Sequence, residues 1–176
     1  MTKHKIIWTI LFLLLASVSA NAQNGLGVKT EFLCELKANL VLPPQMVGQG
    51  PHGTRLIFNV SGGTVKGPKL NGKLLPGADW VLIRPDGAAQ LDVRGTIRTD
   101  DGQLVNIYYR GISLIPSELS RRIASGKKVN SSDYYYRITP VFETGAQKYR
   151  WLNKVISVGV GTLGKDFVSY RIYVIK

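Results

Sequence analysis

The chain is poor in the residues that common catalytic centres are built from. Cys34 is its one cysteine, and its two histidines are His4 and His52. A single cysteine excludes an intrachain disulfide, and in an oxidising compartment it is left buried, free or joined to another chain. The neighbours Phe32, Leu33 and Leu36 favour a buried thiol acting as a small hydrophobe, with a catalytic thiolate as the alternative. His52 lies in the turn-like Gly50-Pro51-His52-Gly53, so neither a His/Cys zinc site nor a Ser-His-Asp triad has enough members. No cofactor is implied. Internal repeats and low-complexity tracts are absent as well.

Long hydrophobic runs are scarce too, the exception being Ile6 to Leu15 near the start. It follows the basic Lys3, His4 and Lys5 and precedes Ala20-Asn21-Ala22, the order expected of a secretory signal peptide. The run is short for a span, which needs roughly 20 apolar residues. Cleavage after Ala22 is expected, with an uncleaved anchor as the alternative; the mature protein is then periplasmic or secreted. No later segment has the length and apolarity of a transmembrane helix.

Acidic residues are few, 11 against 23 Lys and Arg. Loss of Lys3 and Lys5 with the leader leaves 21 cations against 11 anions, a net charge of +10. Such a field favours acidic partners and says nothing of fold. Residues 23–176 have the length of one domain with a sizeable core.

What the sequence has is alternation. From Leu91 to Arg98, the apolar Leu91, Val93 and Ile97 fall on one face and Asp92, Arg94, Thr96 and Arg98 on the other, as in a half-buried strand. Similar short runs span Glu31–Leu40, Thr54–Val60, Trp80–Arg84, Ala89–Arg98, Leu104–Ile112, Tyr134–Glu143, Lys154–Val160 and Phe167–Ile175. Turns are expected at Gly62-Gly63, at Asn71-Gly72, where a type I′ hairpin fits, at Pro85-Asp86-Gly87 and at Asp100-Asp101-Gly102. One helix is expected from about Pro116 to Gly126, with Leu119 and Ile123 on one face, as a lid or plug. Eight to ten short strands with one brief helix make an all-β protein, a closed antiparallel barrel or a sandwich.

The ordered blocks Gly67-Pro68, Leu70-Asn71-Gly72, Leu75-Pro76-Gly77-Ala78-Asp79-Trp80, Leu91-Asp92-Val93-Arg94, Thr99-Asp100-Asp101-Gly102, Pro140-Val141-Phe142-Glu143-Thr144 and Tyr149-Arg150-Trp151-Leu152-Asn153 resemble the domain of unknown function 3237 family. The resemblance runs from about Phe32 to Ile175. It implies a compact antiparallel β-barrel, lipocalin-like in general shape, often dimeric, with no generally established activity. The leader departs from the commoner cytosolic members.

A small barrel encloses at most one small ligand, held by an apolar wall and a few polar groups. Asp92 and Arg94 share one strand face; Arg137 and Glu143 share another with Tyr135, Thr139 and Val141. If both faces point inward, Glu143 or Asp92 is the candidate acid or base, and Arg94 or Arg137 the carboxylate or enolate clamp. The alternative is outward faces with paired surface charges. Asp79 and Trp80 follow a Pro-Gly turn and are either ligand-binding, or a turn residue and a core residue. Tyr149, Trp151 and Asn153 either line a pocket mouth or seal a barrel end. Tyr134, Tyr135 and Tyr136 cannot all face one way, which argues against a stacking platform for nucleic acid.

Two functions from different classes follow. One is a binding barrel for a small acidic or carbonyl compound, with proton-transfer catalysis on it. The other is an interaction protein whose basic surface takes envelope polysaccharide, anionic lipid or a protein partner, a homodimer included. An outer-membrane barrel fits poorly, since segments such as Thr64 to Lys73 lack a lipid-facing apolar band.

Overall fold

The computed structural model of the protein describes residues 27–176; the leader and its cut after Ala22 lie outside them. Ten strands form one antiparallel sheet: β1 (Thr30–Leu40), β2 (Gln45–Gly50), β3 (Gly53–Lys66), β4 (Gly72–Leu74), β5 (Gly77–Ile83), β6 (Ala89–Thr99), β7 (Leu104–Leu114), β8 (Tyr135–Glu143), β9 (Ser157–Leu163) and β10 (Phe167–Ile175). The order runs β1-β10-β9-β8-β7-β6 and reaches β3 through β4 at one end and β5 at the other. Pairing of Glu35–Leu40 with Lys66–Val60 joins β1 to β3 and closes an eight-stranded barrel.

Alternation sets the inside of this ring. Leu91, Val93 and Ile97 of β6, Val105, Ile107 and Tyr109 of β7, and Tyr136, Ile138 and Phe142 of β8 are buried, together with Leu36 of β1 and Tyr170 and Ile172 of β10. The helix α1 (Ser117–Ala124) starts after Pro116 and buries Ile123. Leu119 packs against the core beside Ile123, on the face expected for both.

Two turns expected from glycine are not turns of that kind. β3 passes straight through Gly62 and Gly63, because Gly63 lets the strand approach β1: a Cβ there would lie 1.9 Å from the Lys37 carbonyl oxygen. At Asn71 the chain does turn, but through a longer loop in which the Asn71 side chain accepts from the Gly67 amide at 3.0 Å and donates back to its carbonyl at 2.6 Å. Residues 45–50, expected as loop, form β2, held by its ladder to Arg55–Ile57 and Gly53–Thr54 of β3. The segment Lys154 to Ile156, expected as strand, belongs to the end of the 3₁₀ run Gln147–Lys154 and the link beyond it.

Candidate functional site

Most of the charged residues expected to surround a cavity stand on the outside. Asp92 and Arg94 project from the outer face of β6 and pair with each other at 3.6 Å, their side chains 40% and 64% exposed. On β8 the inward positions are Tyr136, Ile138, Pro140 and Phe142, so Arg137 and Glu143 are exposed on the outer face. Arg137 donates to the Tyr136 carbonyl at 2.9 Å and stacks over the Tyr135 ring at 5.0 Å. The inward placement expected for these four residues is therefore corrected. The physical reason is desolvation: the opposite phase of each strand buries no charged group, whereas burying two Arg and two carboxylates would need complete pairing. Trp80 also points outward, 38% exposed.

Asp79 is the exception, because it goes inside. Strand β5 is inserted between β3 and β6, which puts Asp79 opposite Phe58 on one side and Val93 on the other. Val93 in turn faces Tyr109 on β7. Asp79, Val93 and Tyr109 thus form one inward row, with Asp79 and Tyr109 about 10 Å apart at the backbone, two strand spacings. The Asp92 amide donates to Asp79 Oδ1 at 3.2 Å. Burial pushes the Asp79 carboxyl up to about 7, against the opposing pull of that amide and of Arg55. A carboxyl poised there changes protonation near neutrality, which is what a general acid or base requires.

Tyrosines make the rest of the interior polar set. The Tyr136 and Tyr170 hydroxyls share a buried hydrogen bond of 2.8 Å, and Tyr170 packs edge-on against both Tyr136 and Tyr109 at centroid distances of 5.5 and 5.3 Å. Burial raises all three phenols above their ordinary range, and the charge of Asp79 raises them further. They therefore stay protonated and act as hydrogen-bond donors. Room for the Tyr136 ring comes from β9, where Gly161 lies flat against it; a Cβ on Gly161 would meet ring carbon Cγ at 2.6 Å.

Tyr109 and Val93 also line a cavity of about 20 Å³, together with Gly77, Gly95, Leu75 and Arg94. That volume takes a water or one substituent, not a whole organic molecule. The centre of the barrel is otherwise filled by side chains, as in other small barrels. Arg94 borders the cavity from the middle of β6, where its carbonyl oxygen lies against Gly77, while its side chain points to the outer face.

The remaining candidates gather at the opposite end. Tyr149 is buried and donates to Asp101 Oδ1 at 3.0 Å, while Lys148 pairs with Oδ2 at 2.7 Å and Thr99 donates to Oδ1 at 2.5 Å. These partners hold the Asp101 carboxyl well below the usual carboxylate range. Asn153 closes the loop before it, accepting from the Thr144 amide and donating to the Thr144 carbonyl, both at 2.9 Å. Trp151 is half-buried beside Lys69, whose ammonium lies 5.7 Å from its ring. Glu31, paired with Lys69 and with Lys176, is lowered to about 2 by these bonds. At this end the Tyr149 hydroxyl and the Asn153 amide thus bond to groups of the chain itself.

Tyr109, Tyr136 and Tyr170 escape sequence reasoning, since Tyr108-Tyr109 and Tyr134 to Tyr136 offer a tyrosine to either strand face. Among the described residues, no three His, Cys, Asp or Glu side chains come together as a metal centre. No described helix is long and apolar enough to cross a membrane.

Comparison with known proteins matches residues 28–175 to the family model for proteins of unknown function, DUF3237. A UPF0311 protein of Clostridium acetobutylicum is 37% identical over 135 residues, covering 76% of this chain and 85% of that one. The crystal structure of a beta-barrel like protein from Acinetobacter baumannii superimposes with a TM-score of 0.74 at 34% identity, covering 88% of this chain and 99% of the other. A hydroalkoxylation enzyme of Penicillium herquei is 27% identical over 154 residues, 84% of this chain and 87% of that one.

Proposed function

Because this chain belongs to the DUF3237 family, we propose that it is an exported member that binds a small organic compound bearing a carbonyl or carboxylate and moves a proton on it at Asp79. The observation that carries the reading is the buried Asp79 carboxyl, raised to about 7 and set in one inward row with Tyr109. The cavity is small and is walled by Val93 and Tyr109, the other two residues of that row, rather than by Asp79 itself, so one substituent enters beside Val93 while the body of the compound rests against Leu75 and Gly77.

The name of the Penicillium herquei relative supplies a reaction class that needs no more than such groups. In a hydroalkoxylation the substrate hydroxyl gives its proton to the Asp79 carboxylate as its oxygen bonds to one alkene carbon. The π electrons move to the neighbouring carbon, which takes the proton back from Asp79. Nothing is oxidised or reduced, and Tyr109 as a neutral phenol stabilises developing negative charge by hydrogen bonding.

The test joins native mass spectrometry of protein purified from its own envelope with turnover of a panel of hydroxy-alkenes and enones. A small molecule retained under gentle conditions, and turnover lost in a folded Asp79→Asn variant, are the expected results. A protein that carries no ligand and turns over none of the panel, or an Asp79→Asn variant as active as the parent, overturns the proposal.

A further inference from the structure

The outer surface of the barrel over β6, β7 and β8 sets large apolar side chains among arginines. In register across the three strands lie Arg94, Tyr108 and Val141, and in the next outward row Asp92, Arg110 and Thr139. Tyr108 and Val141 are 42% and 41% exposed, and Leu104 at the end of the same face is 53% exposed. Large apolar groups on an outer strand face, rather than the usual polar ones, mark a contact surface.

The charges on this face are also selected. Strands β5 to β8 carry no lysine; every cation there is an arginine, while lysines occupy β1, β3, β4 and the loops. Arg110 stands opposite Asp92, yet Asp92 pairs with Arg94, and among the described residues Arg110 and Arg98 enter no ion pair. With Glu143 and Arg137 of β8, the outer face carries two carboxylates against four guanidinium groups, and Arg94 and Arg110 flank the exposed Tyr108 ring. Neighbouring strands lie about 4.8 Å apart, so Arg94, Tyr108 and Val141 form a flat strip about 10 Å wide.

From this juxtaposition we infer that the outer face of β6–β8 is a docking strip for an acidic polysaccharide bearing carboxylate groups. Guanidinium forks take carboxylates in two parallel hydrogen bonds. The Tyr108 ring and Val141 between them take the apolar face of a sugar ring. A phosphate polymer would use the arginines and leave the apolar groups beside them without a role. The strip is on the outside of the barrel, so it is separate from the interior site at Asp79.

The experiment is calorimetric titration of the full mature protein with polygalacturonate at low and at 0.5 M salt, with its fully methyl-esterified form as the uncharged control. Binding of polygalacturonate that weakens at high salt, and no binding of the ester, are expected. Arg110→Ala and Tyr108→Ala, both exposed and outside the core, should each weaken binding tenfold or more. Arg121→Ala combined with Arg122→Ala on α1 should leave it unchanged. Four outcomes overturn the inference: equal binding of the ester; equal loss in the α1 variant, which would mean bulk charge alone; wild-type affinity in both strip variants; or no polygalacturonate binding by a protein whose dimer dissociates on Tyr108→Ala, which would give the strip to a second copy of the chain.

Discussion

Asp79 and Tyr109 stand on either side of Val93 in a single inward row across β5, β6 and β7. One is the buried carboxyl of the barrel, the other a phenol that also walls the small cavity. The arrangement exists because β5 is wedged between β3 and β6. Its alternation then turns Asp79 and Val81 inward and leaves Trp80 outside. An acidic side chain is carried into the core by the register of a short strand.

That position makes stability depend on pH. The folded-state value of about 7 lies above the ordinary 3.8, so the folded protein holds this proton more tightly than the unfolded chain does. The contribution is fully present below about pH 4 and is lost as pH rises through 7. Above 7 the cost reaches up to roughly 4 kcal/mol. Asp79→Asn, which keeps the oxygen that accepts from Asp92, should match the parent near pH 4 and exceed it by a few kcal/mol at pH 8. Urea unfolding at both pH values checks this, and a difference that does not vary with pH rules it out.

A second expectation concerns the hydroxyl pair Tyr136–Tyr170, which is buried and 2.8 Å long. Tyr170→Phe leaves the Tyr136 hydroxyl with no partner and should cost about 1–3 kcal/mol. Tyr136→Phe does the same to Tyr170. Removing both hydroxyls removes the orphan, so the double variant should be clearly more stable than the two single costs added together. Additive costs in a double-mutant cycle would show that the pair is not coupled.

Most strands, and the turns at Pro85-Asp86-Gly87 and Asp100-Asp101-Gly102, are legible in the sequence because alternation and turn residues are local signals; β2 and the passage of β3 through Gly62-Gly63 are not. On β6 only one phase is apolar, and the outward Asp92 and Arg94 agree with that phase rather than with the expected cavity-lining placement. On β8 both phases carry apolar or aromatic residues: Tyr135 and Val141 on one, Tyr136, Ile138 and Phe142 on the other. Sequence alone does not break that tie, and Glu143 and Arg137 fall on the solvent side. Asp79 hides behind the turn-like Leu75-Pro76-Gly77, and its burial comes from pairing with Phe58 and Val93, both distant in sequence. For Gly63, a close approach between β3 and β1 has the same residue signature as a turn.

Cys34 offers a direct check on the core. It is fully buried on β1, and burial pushes its thiol up to about 12. Reactivity follows the thiolate and its access to reagent. Native protein at pH 8 should therefore leave Ellman's reagent unreacted over minutes, with one thiol appearing along the same urea curve as loss of tertiary structure. Immediate labelling of native protein would place Cys34 on an accessible surface and contradict the register of β1 with β10.

Asn153 separates a sealing role from a binding role at the far end of the barrel. Its two hydrogen bonds to Thr144 tie residues 144–153 into one loop, and Thr144 itself donates to the Leu104 carbonyl at 2.7 Å. If the side chain acts as a clasp, Asn153→Ala frees both Thr144 backbone groups and should cost about 1 kcal/mol, since the site is partly open to water that can replace the lost bonds. Amide exchange should then rise locally across 144–153 while the strands stay protected. Asn153→Asp retains the acceptor and loses the donor, so its exchange should fall between the two. Ligand affinity or turnover at Asp79 should not change in either variant. A loss of binding with unchanged exchange would instead make Asn153 a ligand contact, as the pocket-mouth alternative holds.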